Sequence, residues 1–136
     1  MNKALIVIDV QKYFLTDETE KIVKRIASYL EKQSKIYKNI FFTVFKNDTK
    51  SPLWNISGWK DCTSSPDIDI CDDIKKFVNK KNLFYKNILS ALKVSEIRNT
   101  LKLETIGEVH LCGFDTDCCV LATAYDLIDQ GLKPIV

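Results

Sequence analysis

The chain is short of the features that mark several large classes of protein. It has no apolar run long enough to cross a membrane or to form a signal-peptide core; the longest near the N-terminus, Ala4 to Ile8, ends at Asp9. Glycine occurs four times and proline three times in 136 residues, and no repeat or low-complexity tract is present, so linker-like sequence is excluded. Neither sign of charge dominates. Twenty basic against eighteen acidic residues leave +2, spread out apart from small clusters at Lys75-Lys76 and Lys80-Lys81, which argues against a nucleic-acid partner. The five cysteines, Cys62, Cys71, Cys112, Cys118 and Cys119, are odd in number and contain no CxxC pair, so neither a disulfide framework nor a zinc site is expected. A bridge between neighbouring Cys118 and Cys119 would be strained, and reduced thiols in a reducing compartment follow. These absences predict a soluble, cytoplasmic protein with no membrane partner.

What is present is a chain able to build a core. A hydrophobic content of 46% over 136 residues fits a single domain spanning 1–136. Lys3 to Asp9 is a continuous Ile- and Val-rich stretch, as expected of a central strand buried on both faces of a parallel sheet. Thr16 is placed to cap a helix carrying Asp17 and Glu18 in its first turn and Ile22, Val23, Ile26, Tyr29 and Leu30 at helical spacing, running to about Lys35. Strands follow at Ile40 to Phe45 and Leu83 to Lys86, the latter after a short helix near Asp72 to Asn79. The longest irregular segment, Lys46 to Ile70, lies between them, and loops of that length tend to be functional. A helix from Ser95 to Ile106, capped by Ser95, precedes a strand from Glu108 to Cys112. Strand and helix alternate throughout, which predicts an α/β fold: a doubly wound, Rossmann-like, mostly parallel sheet with helices on both faces and a ligand crevice at the strand carboxyl ends. Pro134-Ile135-Val136 reads as the opening of a further strand, so the domain looks cut short.

The chemistry concentrates where Val109-His110-Leu111-Cys112 breaks at Gly113 and a helical pattern begins at Cys118-Cys119, closing at Gly131. A thiol at that strand-to-helix turn sits on the positive end of a helix dipole and should ionise more easily, while unpaired backbone N–H groups of the first turn can bind an oxyanion. A buried free cysteine is more often structural. Cys119, Ala122, Thr123, Asp126 and Gln130 share one helical stripe and Cys118, Leu121, Tyr125 and Ile128 another, so position alone leaves open which thiol faces the site. Because parallel strands end on one edge, Asp9, Lys86 and this turn should converge. Asp9 is then placed to take the thiol proton, and Lys86 to hold both anions.

Ile8-Asp9-Val10-Gln11-Lys12-Tyr13-Phe14, Tyr85-Lys86-Asn87-Ile88-Leu89-Ser90-Ala91-Leu92 and Cys112-Gly113-Phe114-Asp115-Thr116-Asp117-Cys118-Cys119-Val120-Leu121-Ala122-Thr123-Ala124 resemble, in order, the three motifs of the isochorismatase-like cysteine hydrolases. The resemblance covers the whole chain. It implies an Asp9–Lys86–Cys119 triad with Cys119 rather than Cys118 as nucleophile, and a cis peptide at Phe114–Asp115 that presents the N–H groups of Asp115 and Cys119 to an oxyanion. It implies hydrolysis of a small amide, carbamoyl or related C–N bond through a thioester. The nicotinamidase branch binds a metal through an Asp-x-His pair after the second strand, where this chain has Phe45-Lys46-Asn47-Asp48-Thr49, and His110, the only histidine, lies within a strand. No metal and no other cofactor are therefore expected.

Phe14, Trp54 and Tyr85 are expected to wall a pocket for a small-molecule substrate under a lid from Lys46 to Ile70, whereas Trp59 is read as pinning that segment and Thr116 and Asp117 as helix caps. An unfinished sheet edge favours association, so a homo-oligomer, a dimer first, is expected, as in much of the family. The alternative from another class is a non-catalytic member of the same fold binding a metabolite or a protein, and a weaker one is a redox-sensing Cys118-Cys119 pair.

Overall fold

The computed structural model describes residues 1–136. Five strands, β1 (Asn2–Ile8), β2 (Asn39–Phe45), β3 (Leu83–Lys86), β4 (Ile106–Gly113) and β5 (Lys133–Ile135), form one sheet in the order β3-β2-β1-β4-β5. Every pairing is parallel. β1 is central, as its unbroken apolar run predicts, and its alternating side chains serve two cores. Ala4, Ile6 and Ile8 pack with Ile97 and Leu101 of helix α3 (Ser95–Leu103) and Ala124 and Leu127 of helix α4 (Leu121–Asp129). Leu5 and Val7 pack on the other face against Val23, Ile26 and Leu30 of helix α1 (Glu20–Gln33). The doubly wound α/β arrangement is thus the observed one.

Element boundaries moved for local reasons. Thr16 does not cap α1: its Oγ1 accepts from the Thr19 N–H at 3.2 Å while the Thr19 hydroxyl donates to the Phe14 carbonyl at 2.7 Å, so a turn intervenes and the helix begins at Glu20. Ser95 is the first residue of α3, and its hydroxyl donates to the Glu96 carboxylate at 3.1 Å instead of accepting from the backbone. The helix expected over Asp72 to Asn79 is a 3-10 turn at Asp72–Phe77. β4 starts at Ile106, and α3 correspondingly ends at Leu103, with Thr105 turning the chain at φ 51°. The segment from 46 to 70 contains a short helix, α2 (Pro52–Ser57), opened by its proline.

Two contacts bring β1 and β4 to a common end. Ile8 pairs with Thr43 of β2 and with Gly113 of β4. Gly113 has φ 125°, and a Cβ there would stand 2.0 Å from the Ile8 carbonyl oxygen, so only glycine lets the two strand ends approach this closely. The next residue, Phe114, donates its N–H to that same carbonyl at 2.8 Å.

Candidate active site

Asp9 follows β1 at φ 53°, a left-handed conformation that aspartate tolerates better than most residues. Its N–H donates to the Thr43 carbonyl at 3.0 Å, and the Thr43 hydroxyl donates to Oδ1 at 2.8 Å, fixing the carboxylate in a fully buried position. Lys86, the last residue of β3, donates from Nζ to Asp9 Oδ2 at 2.8 Å, to the Ile88 carbonyl at 3.1 Å and to Cys119 Sγ at 3.4 Å. All three ammonium protons are occupied, and the Lys86 and Asp9 side chains are 1% and 0% exposed. A buried pair of this kind costs desolvation that its geometry must offset, so it is not a device for stability alone.

Cys119 reaches this pair from the turn after β4. The peptide Phe114–Asp115 is cis, and residues Thr116–Val120 form one π-helical turn that continues into α4. The Asp115 carbonyl accepts from the N–H groups of Cys118 at 3.1 Å and Val120 at 3.2 Å, whereas the Asp115 N–H has no carbonyl partner. No side chain caps this turn; Thr116 and Asp117 do not play the capping role expected of them. The two stripes of the helix separate clearly. Cys119 and Thr123 are buried, while Leu121, Tyr125 and Ile128 face outward. Thr123 locks the turn that carries Cys119, its hydroxyl donating to the Cys119 carbonyl at 2.7 Å and accepting from the Ala91 N–H at 3.0 Å.

The expectation of an easily ionised thiol is overturned. Burial first, then the Asp9 charge, push the Cys119 thiol well above the ordinary cysteine range, with Lys86 opposing them. A short π turn is a weak dipole compared with the loss of water around a mostly enclosed sulfur. The resting site is therefore a neutral thiol beside a carboxylate–ammonium pair.

An apolar cavity of about 270 Å³ lies beside the turn, walled by Tyr13, Phe14, Phe45, Leu53, Trp59, Asp115 and Cys118. Phe14 stands where it was expected, its ring 6.1 Å from that of Phe114. Trp54 and Tyr85 do not belong to this wall. Leu53 is the residue of α2 turned to the cavity, and its helical successor Trp54 points away, its ring beneath Lys60 Nζ at 5.6 Å. Tyr85 precedes buried Lys86 on β3 and so projects from the opposite side of the strand, 54% exposed. Trp59, expected only to pin the segment, is instead part of the wall, 5.5 Å from the Phe45 ring and donating from Nε1 to the Tyr13 hydroxyl at 3.3 Å.

Two residues that hold the wall escaped notice in the sequence. Gln11, fully buried, accepts from the Phe45 N–H at 2.8 Å and donates to the Phe45 carbonyl at 3.0 Å and the Asp67 carbonyl at 3.2 Å. Asn47 donates to the carbonyls of Trp59 at 2.9 Å and Asp61 at 3.1 Å. A buried amide that closes a loop onto a strand leaves no periodic signature; only its place two residues after Asp9 hinted at Gln11.

The residues present do not fit a metal. Beyond β2, Asp48 spends its carboxylate on the Lys50 N–H at 2.8 Å and the Asn87 amide at 3.2 Å. His110 hydrogen-bonds Glu108 and Tyr37, both at 2.8 Å, beside the core that holds Tyr37. No group of three or more His, Cys, Asp or Glu side chains is arranged around a common point.

Comparison with known proteins agrees with this architecture. The family model for the isochorismatase domain matches residues 3–136. The fold is shared with N-carbamoylsarcosine amidase from Thermoplasma acidophilum at a TM-score of 0.84 and 22% identity, covering 100% of this chain and 81% of that one. It is shared also with pyrazinamidase/nicotinamidase from Streptococcus mutans UA159 at 0.80 and 27% identity, covering 98% and 83%. An uncharacterized isochorismatase family protein, PncA of Bacillus subtilis (strain 168), is 36% identical over 64 residues, 46% of this chain and 35% of that protein. The aligned stretch thus spans about a third of that curated relative's length. The chain belongs to the isochorismatase family. Its fold is that of the isochorismatase-like hydrolases.

Proposed function

We propose that the protein hydrolyses a small amide, carbamoyl or related C–N bond through a thioester on Cys119. The observation that carries this reading is the single lysine ammonium held 2.8 Å from a buried carboxylate and 3.4 Å from a buried sulfur, beside an apolar cavity. The names of two fold neighbours, both amidases, support it.

The steps use only this chain's groups and water. Asp9 takes the Sγ proton as the sulfur attacks the substrate carbonyl carbon, and the developing thiolate is stabilised by the adjacent Lys86 ammonium. The tetrahedral oxyanion is received by the N–H groups of Asp115 and Cys119, the former unpaired in the resting fold. Protonated Asp9 returns its proton to the leaving nitrogen as the C–N bond breaks, releasing the amine and leaving the thioester. Asp9 then accepts a proton from water as its oxygen attacks the thioester carbon, and the acid departs as Cys119 is reprotonated. Lys86 stays charged throughout, which is consistent with its three acceptors being fixed. The substrate is a small molecule that fits the cavity.

The test is turnover. Cys119→Ser, which preserves volume but replaces the polarisable sulfur, is expected to cost on the order of a thousandfold or more in kcat while the fold persists. Cys118→Ser is expected to stay within about tenfold of the parent, because that sulfur lines the cavity without touching the pair. Release of ammonia or amine from a panel of amides, ureas and carbamates measures both. Loss of activity in Cys118→Ser with retention in Cys119→Ser would refute the assignment.

A further inference from the structure

The charge carried by the cavity wall restricts what it can hold. Of the seven side chains lining it, six are apolar or aromatic in character and one, Asp115, carries a carboxyl group. No lysine, arginine or histidine belongs to the wall. The nearest buried cation, Lys86, is spent on Asp9 at 2.8 Å. Of the three lysines of the surrounding segment, Lys60 lies over Trp54 and Lys46 over Tyr85, neither ring being part of the wall, and Lys50 does not line it. Behind the aromatic wall stands a second carboxylate, Asp61, whose Oδ2 accepts from the Tyr13 hydroxyl at 2.8 Å. Burial first, then the charges of Asp117 on the same turn and of Asp9, push the Asp115 carboxyl upward.

Resting on the amide-hydrolase reading above, we infer that this cavity admits uncharged or cationic substrates and rejects those bearing an anionic group, and that Asp115 is the residue that sets this preference. An anionic substituent would enter a low-dielectric aromatic pocket with no cation to pair with and a carboxylate at the mouth, so desolvation and repulsion act in the same direction. An ammonium meets the reverse. The same residue therefore has two separable duties: its backbone N–H faces the reacting carbonyl, while its side chain reads the charge of the acyl group.

Three benzamides of similar size differ only in that charge: benzamide itself, 4-(aminomethyl)benzamide and 4-carbamoylbenzenesulfonate. Their affinities are measured by calorimetry on the Cys119→Ser protein, so that no turnover is needed, and tryptophan emission in a Trp54→Phe background, which leaves Trp59 as the reporter, gives an independent signal. The sulfonate is expected to bind about fivefold or more weaker than the neutral and cationic amides. Because the Asp115 side chain is exposed at the mouth, the gap should narrow when sodium chloride is raised from about 0.05 to about 0.5 M. Asp115→Asn should narrow it in the same way; if that variant fails to fold, the salt dependence decides. Equal or tighter binding of the sulfonate, a gap insensitive to both salt and Asp115→Asn, or no binding of any of the three overturns the inference. Ammonia release from the same amides by the unaltered chain judges the catalytic reading separately. Selective binding without turnover would sink that reading alone, and turnover without charge selectivity would sink this one alone.

Discussion

At the scale of single residues, the site joins a protonated thiol to an already formed ion pair. That order has a consequence for pH. A thiol pushed above its ordinary range reacts with an alkylating agent only in proportion to its small ionised fraction, so iodoacetamide labelling of Cys119 in the free protein should be slow at neutral pH. It should keep rising past pH 9 with no plateau in the ordinary thiol range, read by mass spectrometry of the labelled peptide. In Asp9→Asn the burial remains but the negative charge that opposes ionisation is gone, and the labelling curve should move to lower pH. A plateau near pH 7 in the unaltered protein would contradict the environment of Cys119. Asp9 and Lys86 stood out in the sequence because each sits at a strand end, where a parallel sheet brings residues together, whereas Cys119 was singled out from Cys118 only by the family resemblance, since it lies in the turn after β4. The state of the thiol was not legible, because it depends on how completely the sulfur is enclosed and not on its position relative to a helix. Trp54 and Tyr85 show the same limit. Composition marks an aromatic as a wall candidate, but one residue of rotation on α2 or β3 decides which way it faces.

At the scale of elements, two features hold the strand ends in place. Gly113 lets β4 close against β1, and Gly113→Ala would drive a methyl group into the Ile8 carbonyl, 2.0 Å away, in a backbone conformation that L-residues avoid. We expect a loss on the order of 3 kcal/mol or more in urea unfolding, with activity lost in parallel as the turn that carries Cys119 shifts. A fully stable Gly113→Ala protein would mean that the strand ends can separate without disturbing the site. The second feature is Glu108 on β4, which accepts from Lys3 of β1 at 3.0 Å, Lys133 of β5 at 3.0 Å and His110 Nε2 at 2.8 Å. These partners, His110 first, hold its carboxyl down at about 2. A depressed carboxyl stabilises the fold above its unfolded value and loses that contribution as pH falls through the folded one. Stability should therefore drop between about pH 5 and pH 2, and Glu108→Gln should flatten that part of the profile while lowering stability at pH 7. An unchanged acid limb in Glu108→Gln, followed by circular dichroism, would show that the three partners do not couple to folding. Apolar runs located β1 to β4, while the fifth strand was expected only as an opening at Pro134 and starts at Lys133. What the sequence pattern missed, the turn before α1 and the 3-10 character of Asp72–Phe77, was decided by side-chain hydroxyls and by packing against α1.

At the scale of the whole molecule, the surface repeats a pattern that the helix alone does not need. Leu121, Tyr125 and Ile128 of α4 are 42%, 62% and 56% exposed and lie on one face at helical spacing, opposite the stripe that carries Cys119 and Thr123. A contiguous apolar ridge of this kind on a folded domain usually meets a partner. We expect a second copy of the chain to be that partner, because a self-complementary ridge on one helix is satisfied by two-fold pairing without any other component. The geometry would place the interface on the outer side of the helix that follows the Cys119 turn, so dimerisation would stiffen α4 where Thr123 anchors it. Light scattering at micromolar concentration should give twice the chain mass. Leu121→Lys combined with Ile128→Lys should give a folded monomer with reduced turnover and the substrate charge preference unchanged, since the cavity wall is untouched. A monomeric parent chain at that concentration would overturn the expectation and leave the ridge as plain exposed surface.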